Sequence, residues 1–216
     1  MKINYIQTLI KEYDISSANI SILAEANVIS DEMYDTLRST YKIARNKTIG
    51  KLMITHPEIK DIIYNGIKKY MLEFIKSNKI KRSNILEIAT DAIFVMNPPE
   101  ADLETMFDDH IIFKDKGTYF SMLEFDAGDG LKSKIKIYGM ASDVKVRGGK
   151  VDTEHSAYKL LCQMINCKRN GKPKDMYSIL KKFTKIMNNK EEKQLINTCN
   201  NEWLLNVITE FCNVII

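Results

Sequence analysis

The first quarter of the chain alternates apolar and polar residues at the spacing of amphipathic helices. In residues 2–14 the apolar side chains recur every three or four positions, which predicts a helix; they are Ile3, Ile6, Leu9, Ile10 and Tyr13. Ser16 or Ser17 is a suitable N-cap for a second helix, and Ser30 for a third helix from Asp31 to Lys47. The pattern predicts a helical hairpin or small bundle at the N-terminus.

A longer helix is predicted after Gly50, which we expect to interrupt the preceding helical pattern. The segment His56-Pro57-Glu58 supplies its start, because proline is tolerated in the first turn of a helix. The apolar stripe that follows is wide enough to lie across a sheet. It consists of Ile59, Ile62, Ile63, Ile67, Tyr70, Met71, Phe74 and Ile75.

The middle of the chain has the pattern of β-strands. Two apolar stretches, Ile85–Ile88 and Ala92–Met96, meet at Asp91. Alternation predicts further strands at residues 110–114, 118–125, 134–139 and 144–147, with turns at Lys116-Gly117, Gly128-Asp-Gly130 and Gly148-Gly149. An antiparallel sheet of five or six strands between helices makes the predicted fold class α+β.

The last third of the chain returns to helical periodicity, with helices predicted at residues 153–168, 173–187 and 191–214. This gives three regions, an N-terminal helical region (1–83), a central palm-like sheet (84–150) and a C-terminal helical region (151–216). The total of 216 residues fits one domain that contains all three regions.

Charge is distributed unevenly along the chain. The net charge is only +4, yet residues 98–130 hold nine acidic residues and two lysines, whereas residues 131–150 hold six basic residues and one aspartate. A second basic run spans residues 168–190. Such runs can bind phosphates, although they are more often simply a solvated face.

Composition places the protein among intracellular globular proteins. The four cysteines lie inside helical patterns without the spacing of a zinc site, so we expect free thiols in a reducing compartment. The polar N-terminus does not resemble a signal peptide, and no apolar run is long enough for a membrane span. We expect a cytoplasmic protein without membrane contact. The abundance of Lys, Ile and Asn suggests an AT-rich genome, such as that of many phages and low-GC bacteria.

Asp91 is the residue that most requires a chemical explanation. A carboxylate between two apolar strands is costly unless a metal, a cation or hydrogen-bond donors accompany it. The chain has none of the short motifs of serine hydrolases, P-loop proteins, zinc proteases or dinucleotide-binding proteins.

Four short motifs carry a resemblance to a known family. They are Lys42-Ile-Ala-Arg-Asn-Lys-Thr-Ile-Gly50, Ala89-Thr-Asp91-Ala92, Lys134-Ile-Lys-Ile-Tyr-Gly139 and Val144-Lys-Val-Arg-Gly148. In this order they resemble the fingers motif, the palm motif Asp-Thr-Asp-Ser, the Lys-x-Tyr strand and the Lys-Gly strand of family B DNA polymerases. The resemblance covers roughly residues 38–190 and implies a palm-like sheet followed by the start of a thumb.

The resemblance implies a metal-binding role for Asp91, with Mg²⁺ as the ion, and no other cofactor. It also implies phosphate contacts for six cationic residues, Lys42, Arg45, Lys134, Lys136, Lys145 and Arg147. The family's other essential carboxylate, in an Asp-x-x-Ser-Leu-Tyr-Pro motif, has no counterpart anywhere in the chain. Because two-metal phosphoryl transfer needs carboxylates from two strands, we expect no polymerase activity from the isolated chain and assign it no catalytic residue.

Two hypotheses of function follow. In the first, the chain is a phage-encoded palm-like module that acts on nucleic acid in replication or transcription, without catalysis or with a protein partner that completes a site. In the second, it is a small phage or mobile-element interaction protein, such as a virion component or an inhibitor of a host factor or defence, in which Asp91 is structural. Salt-dependent binding to nucleic acid distinguishes the first hypothesis from the second. An unrecognised enzyme is a third alternative.

Overall fold

A computed structural model describes residues 3–126, 134–141, 143–148, 156–170, 173–189 and 208. Along these residues one strand is followed by four helices, then by five strands and finally by two helices. The strands are β1 (Ile3–Ile15), β2 (Ile85–Ala89), β3 (Ala92–Met96), β4 (Phe113–Asp126), β5 (Lys134–Gly139) and β6 (Val144–Arg147). The helices are α1 (Ala18–Glu25), α2 (Asp31–Ser39), α3 (Lys42–Thr55), α4 (Glu58–Ser77), α5 (Ser156–Asn170) and α6 (Pro173–Asn188), with a 3₁₀ turn at Arg82–Asn84. No helix among these residues is long and apolar enough to cross a membrane.

The six strands form one antiparallel sheet in the order β2-β3-β1-β4-β5-β6. The predicted α+β class and the predicted sheet of five or six strands are confirmed. The N-terminal strand β1 lies between β3 and β4, so residues from the very start of the chain form the middle of the sheet.

The segment predicted as the first helix is the strand β1. Its apolar spacing fits a helix, but Ile3, Tyr5, Ile6, Thr8 and Ile10 are β-branched or aromatic residues that favour strands. Pairing with β3, from Ile10 opposite Met96 to Asp14 opposite Ala92, gives the backbone its hydrogen-bond partners. The predicted helix over residues 2–14 is therefore wrong, because strand pairing outweighed local periodicity.

The helix predicted from Asp31 to Lys47 is two helices, α2 and α3. Ser30 caps α2 as predicted, since its Oγ accepts a hydrogen bond from the Met33 N–H at 3.2 Å. The backbone becomes extended at Thr40, with φ −74° and ψ 145°, which ends α2 before α3 begins. Gly50 lies inside α3, so the predicted break at this residue is wrong.

Residues 10–118 pack as one compact unit, and the residues before Ile10 form a second unit with those after Thr118. In the unit of residues 10–118, α4 starts directly after Pro57 as predicted. Its buried face consists of Ile59, Ile63, Ile67, Tyr70, Met71 and Phe74. The Phe74 ring stacks on Phe113 of β4 with centroids 4.3 Å apart, so this face covers the sheet.

The two strands predicted at residues 110–114 and 118–125 are joined in the single strand β4. The predicted turn at Lys116-Gly117 is wrong, because β4 continues through it. Ion pairs from Asp115 to Lys11 at 3.2 Å and from Lys116 to Asp14 at 3.6 Å link β4 to β1 beside Gly117. Neighbouring strand contacts thus keep a turn-like sequence extended.

The other unit contains β5, β6, α5 and α6, which confirm the strands predicted at residues 134–139 and 144–147 and two of the predicted C-terminal helices. Leu160, Leu161, Met164 and Ile165 of α5 are buried. The predicted turn at residues 128–130 lies outside the described residues, as does the helix predicted at residues 191–214, except for the buried Ile208.

Two helical glycines allow a matched test of the packing of α4. A Cβ at Gly66 would come too close to Cγ2 of the buried Ile22, whereas a Cβ at Gly50 would have nothing within 4 Å. Gly66→Ala should cost about 1–2 kcal/mol through overpacking, and Gly50→Ala should stabilise by about 0.5–1 kcal/mol through helix propensity. Urea unfolding of both variants measures the difference, and equal stabilisation by the two substitutions would contradict the close contact.

Candidate functional site

Asp91 lies in a two-residue turn and not inside an apolar strand. Ala89 of β2 pairs directly with Ala92 of β3, and Thr90 has a positive φ of 54°, which a two-residue hairpin turn requires. The Asp91 backbone carbonyl accepts a hydrogen bond from Ile15 N–H at 3.0 Å. Its half-buried side chain therefore lies at the end of the strand pair, and the expected position between two apolar strand halves is corrected.

A second carboxylate, Asp14, lies near Asp91 at the end of β1. Burial, followed by the negative charge of Asp91, raises the pKa of Asp14 above its usual range, although Lys116 opposes the shift. Asp14 Oδ2 lies 3.6 Å from Lys116 Nζ, and Oδ1 is buried without a hydrogen-bond partner among the described residues. The sequence indicated a single carboxylate here, whereas the structure contains two.

Both carboxylates line a cleft of about 520 Å³ in the unit of residues 10–118. Four cationic residues line the same cleft, Lys42 and Arg45 from α3 and Lys114 and Lys116 from β4. The other lining residues are polar or apolar; they are Ile15, Ser16, Ser17, Ala18, Asn19, Ile20, Asn46 and Ile49. With four cations against two carboxylates, the cleft favours an anionic ligand.

The first turns of two helices, α1 and α3, also face this cleft. Neither helix has a side-chain N-cap hydrogen bond or an acidic residue in its first turn. The N-cap of α1, Ser17, has a positive φ of 55°. Backbone N–H groups at a helix N-terminus carry partial positive charge and bind anions. In α3 this partial positive charge adds to the charges of Lys42 and Arg45. The cleft thus contains four positively charged side chains and two helix N-termini with partial positive charge.

Packing fixes the wall of the cleft. Ile15, Ala18, Ile20 and Ile49 are buried at its base, and the Ser21 hydroxyl donates a hydrogen bond to the Ser16 carbonyl at 2.8 Å. Lys42, Lys114 and Lys116 are exposed, whereas Arg45 is half-buried. The backbone is thus held in place, while the lysine side chains retain access to solvent.

The other four predicted nucleic-acid contacts lie in the unit that contains β5 and β6. Lys134 Nζ and Lys136 Nζ lie 2.7 and 3.6 Å from the Glu124 carboxylate. The Lys134 hydrogen bond is the main cause that holds the pKa of Glu124 below its usual range. Arg147 is opposite Lys136 on the neighbouring strand, and Lys145 Nζ donates to the Tyr119 hydroxyl at 3.2 Å. The structure therefore brings Lys42, Arg45 and Asp91 together and places these four elsewhere.

Metal ligation is limited to what two carboxylates can offer. Among the described residues, no group of three or more His, Cys, Asp or Glu side chains could hold a metal ion. Asp14 and Asp91 could hold a cation only if water or a ligand supplied further oxygen atoms. Mg²⁺ that is bound together with phosphates commonly has such a mixed set of ligands.

Three residues of the cleft were missed from the sequence. Asp14 was placed on a predicted helix, which hid its position at the end of a strand. Lys114 and Lys116 are the minority charge of an acidic segment, and the sequence pattern places Lys114 at the end of a predicted strand and Lys116 in a predicted turn. Their spacing of two residues would have indicated a shared strand face, had the strand been extended through Gly117.

Comparisons with known proteins match most of the chain to one family. Residues 1–164 match the model of a family described as Bacteriophage PBS1 gene 130 protein. All residues that line the cleft fall within this match. No curated protein matches the chain significantly.

The carboxylate pair makes a prediction about stability and pH. Because the folded-state pKa of Asp14 is raised, folding favours its neutral form; the associated stability is present at low pH and is lost as pH rises through the folded pKa. Asp14→Asn should therefore be more stable than the wild type at pH 7, although it loses an ion pair worth at most about 1 kcal/mol. The difference should vanish near about pH 3.

Urea unfolding across this pH range measures the effect. Asp115→Asn is a matched control, because Asp115 also forms an ion pair with a lysine, Lys11, but its side chain does not line the cleft. A gain in stability at pH 7 from Asp115→Asn equal to that from Asp14→Asn would contradict the assigned cause.

Proposed function

The chain belongs to the Bacteriophage PBS1 gene 130 protein family, and we propose that it is a nucleic-acid-associated phage protein that holds phosphate groups in its cleft. Its place of action is the host cytoplasm, in phage replication or transcription. The proposed role of the isolated chain is binding, and any polymerisation requires a protein partner.

One observation carries the proposal, the convergence of four cations and two helix N-termini on one cleft. Like charges repel, and Asp14 and Asp91 offset only part of the charge of the four cations, so an anionic ligand would stabilise the cleft. Among the described residues, Lys42, Arg45 and Lys114 form no ion pair within the chain. A phosphate group supplies both the charge and the acceptor oxygens that such a site needs.

Mg²⁺ is part of the proposed ligand. Asp14 and Asp91 would repel a phosphate if it approached alone, because all three groups carry negative charge. Mg²⁺ typically binds one or two carboxylates together with phosphate oxygens and water, and it would convert this repulsion into attraction. Burial and the neighbouring charge of Asp91 raise the pKa of Asp14 even though Lys116 lies beside it, so a divalent cation at the carboxylate pair would favour the charged form of Asp14.

The cleft also supports the resemblance to a polymerase palm. Contrary to the expectation from the sequence, Asp14 and Ser17 have the spacing of the Asp and Ser of the family's Asp-x-x-Ser-Leu-Tyr-Pro motif, although the following residues do not match Leu-Tyr-Pro. Asp14 lines the cleft with Asp91 and with residues of the fingers-like helix α3. Two-metal phosphoryl transfer uses carboxylates from two neighbouring elements, and here Asp14 comes from the end of β1 and Asp91 from the β2–β3 turn. Ala89 and Ala92, which stand where the palm motif Asp-Thr-Asp-Ser has its first Asp and its Ser, favour a module without independent polymerase activity.

The β5–β6 cations remain proposed as further phosphate contacts. Lys136 and Arg147 are opposite each other on paired strands and therefore project on the same face. The carboxylate of Glu124 offsets part of the charge of Lys134 and Lys136. We therefore assign them a smaller share of the binding than the cleft cations.

Neutralising the cleft should weaken nucleic-acid binding and its salt dependence together. For the triple variant Lys42→Ala/Arg45→Ala/Lys114→Ala, the slope of log affinity against log salt should fall by about 2–3, because each phosphate contact contributes about 0.7–0.9. Fluorescence anisotropy with a labelled oligonucleotide, at salt concentrations from about 50 to about 200 mM, measures this slope.

A matched control removes three exposed lysines from α4, Lys60→Ala/Lys68→Ala/Lys76→Ala. Its net charge changes equally, so its slope should stay close to that of the wild type if the cleft is the site. Equal losses in both triple variants would reject the cleft, and no binding by the wild type would leave the interaction-protein hypothesis in its place.

Magnesium should stabilise the protein through Asp91 when a nucleotide is present. With the nucleotide at a fixed concentration, adding Mg²⁺ at about 100 times its dissociation constant should raise the free energy of unfolding by about 2.7 kcal/mol, and Asp91→Asn should abolish most of this rise. Thermal unfolding with and without Mg²⁺ measures it, and Asp115→Asn serves as the control. A structural role for Asp91 predicts instead a loss of stability that is the same with and without Mg²⁺.

A further inference from the structure

Helix α3 is unusually exposed for a helix of its length. Of its 14 residues only Ile49 is fully buried; Leu52 and Met53 are partly buried against the same core, and Ile49 also lines the cleft. Most amphipathic helices bury an entire stripe against their own domain. The outward side of α3 is therefore free to meet another molecule.

Four outward residues lie on one stripe of this helix. Ile43, Lys47, Lys51 and Ile54 are spaced by four, four and three residues, which places them above one another on one helix face. Ile43 is 59% exposed and Ile54 81% exposed, and both lysines are exposed. At a rise of about 1.5 Å per residue the stripe extends over about 16 Å. We refer to these four residues as the α3 stripe.

The charge of α3 defines the sign of its partner. The helix has four cationic residues, Lys42, Arg45, Lys47 and Lys51, and no acidic residue. Among the described residues, Lys47 and Lys51 form no ion pair. The surface therefore complements an anion that continues beyond the cleft.

The apolar ends of the stripe indicate which anionic polymer fits. A duplex presents mainly phosphates and sugars to a surface helix, and it would leave Ile43 and Ile54 without an apolar contact unless the helix entered a groove. A single strand offers unstacked bases, whose faces pack on apolar and aromatic side chains while phosphates pair with cations. Tyr41, which directly precedes α3 and is 75% exposed, adds such an aromatic ring at the same end as Ile43.

We propose that the α3 stripe, together with Tyr41, binds single-stranded nucleic acid. Lys47 and Lys51 contact successive phosphates, and Ile43, Ile54 and Tyr41 pack against bases. Protein interfaces are depleted in lysine, which favours nucleic acid over an acidic protein as the partner. The α3 stripe and the cleft share helix α3. The stripe proposal rests on the proposed function only in that the ligand of each is a nucleic acid.

The test compares a short thymidine oligonucleotide, a duplex of equal length and a free nucleoside triphosphate with Mg²⁺, each bound to the full chain. Lys47→Ala/Lys51→Ala should weaken single-strand binding at least about fivefold and lower its salt slope by about 1.4. Ile43→Ala/Ile54→Ala should weaken single-strand binding without changing the slope, because it removes no charge. Neither variant should alter binding of the free nucleotide in the cleft.

Matched controls come from α4, with Lys60→Ala/Lys68→Ala for charge and Tyr64→Ala/Leu72→Ala for exposed apolar surface. If the α3 variants bind the single strand like these controls while the nucleotide still binds, the stripe proposal is overturned and the cleft proposal stands. Equal affinity for duplex, with no effect of the isoleucine substitutions, also overturns it. If the wild type binds none of the three ligands, both the stripe proposal and the cleft proposal are overturned.

Discussion

The pairing of β1 with β3 is the constraint on which the site depends. Its register places Asp14 opposite Ala92, directly after the turn that holds Asp91, so the end of one strand meets the turn of its neighbour. The Ile15 N–H bonded to the Asp91 carbonyl fixes this meeting in the backbone. A shift of one residue would turn Asp14 to the other face of the sheet and separate the two carboxylates.

The same strand end sets the position of the helices around the cleft. After Ile15 the chain turns through Ser16 and Ser17 directly into α1, so the first turn of α1 must begin beside the carboxylate pair. α3 reaches the same place through the packing of Ile49, its only buried residue. Charges of both signs are therefore concentrated in the cleft. Their side chains remain partly solvated, which limits the free-energy cost of bringing them together.

The sequence predicts an element correctly where its apolar spacing fits only one type of secondary structure. The stripe of α4 and the alternation of β5 fit one type of structure each, and both are confirmed. In β1, side chains such as Ile6, Leu9 and Tyr13 fit a helix as well as a strand, and only pairing with β3 decides between them. This one error concealed Asp14, so the carboxylate pair could not be recognised. Motif order, which does not depend on secondary structure, singles out Lys42, Arg45 and Asp91, and these three residues line one cleft.

The division of the chain into two units has a consequence for synthesis on the ribosome. Residues 10–118 are continuous, so the unit that contains the cleft can fold as soon as that stretch has emerged. The other unit combines the first residues with those after Thr118, so the start of β1 must wait for sequence made more than a hundred residues later. Its closure over such a long separation is entropically the slower step. During translation the unit that contains the cleft can therefore fold before the other unit.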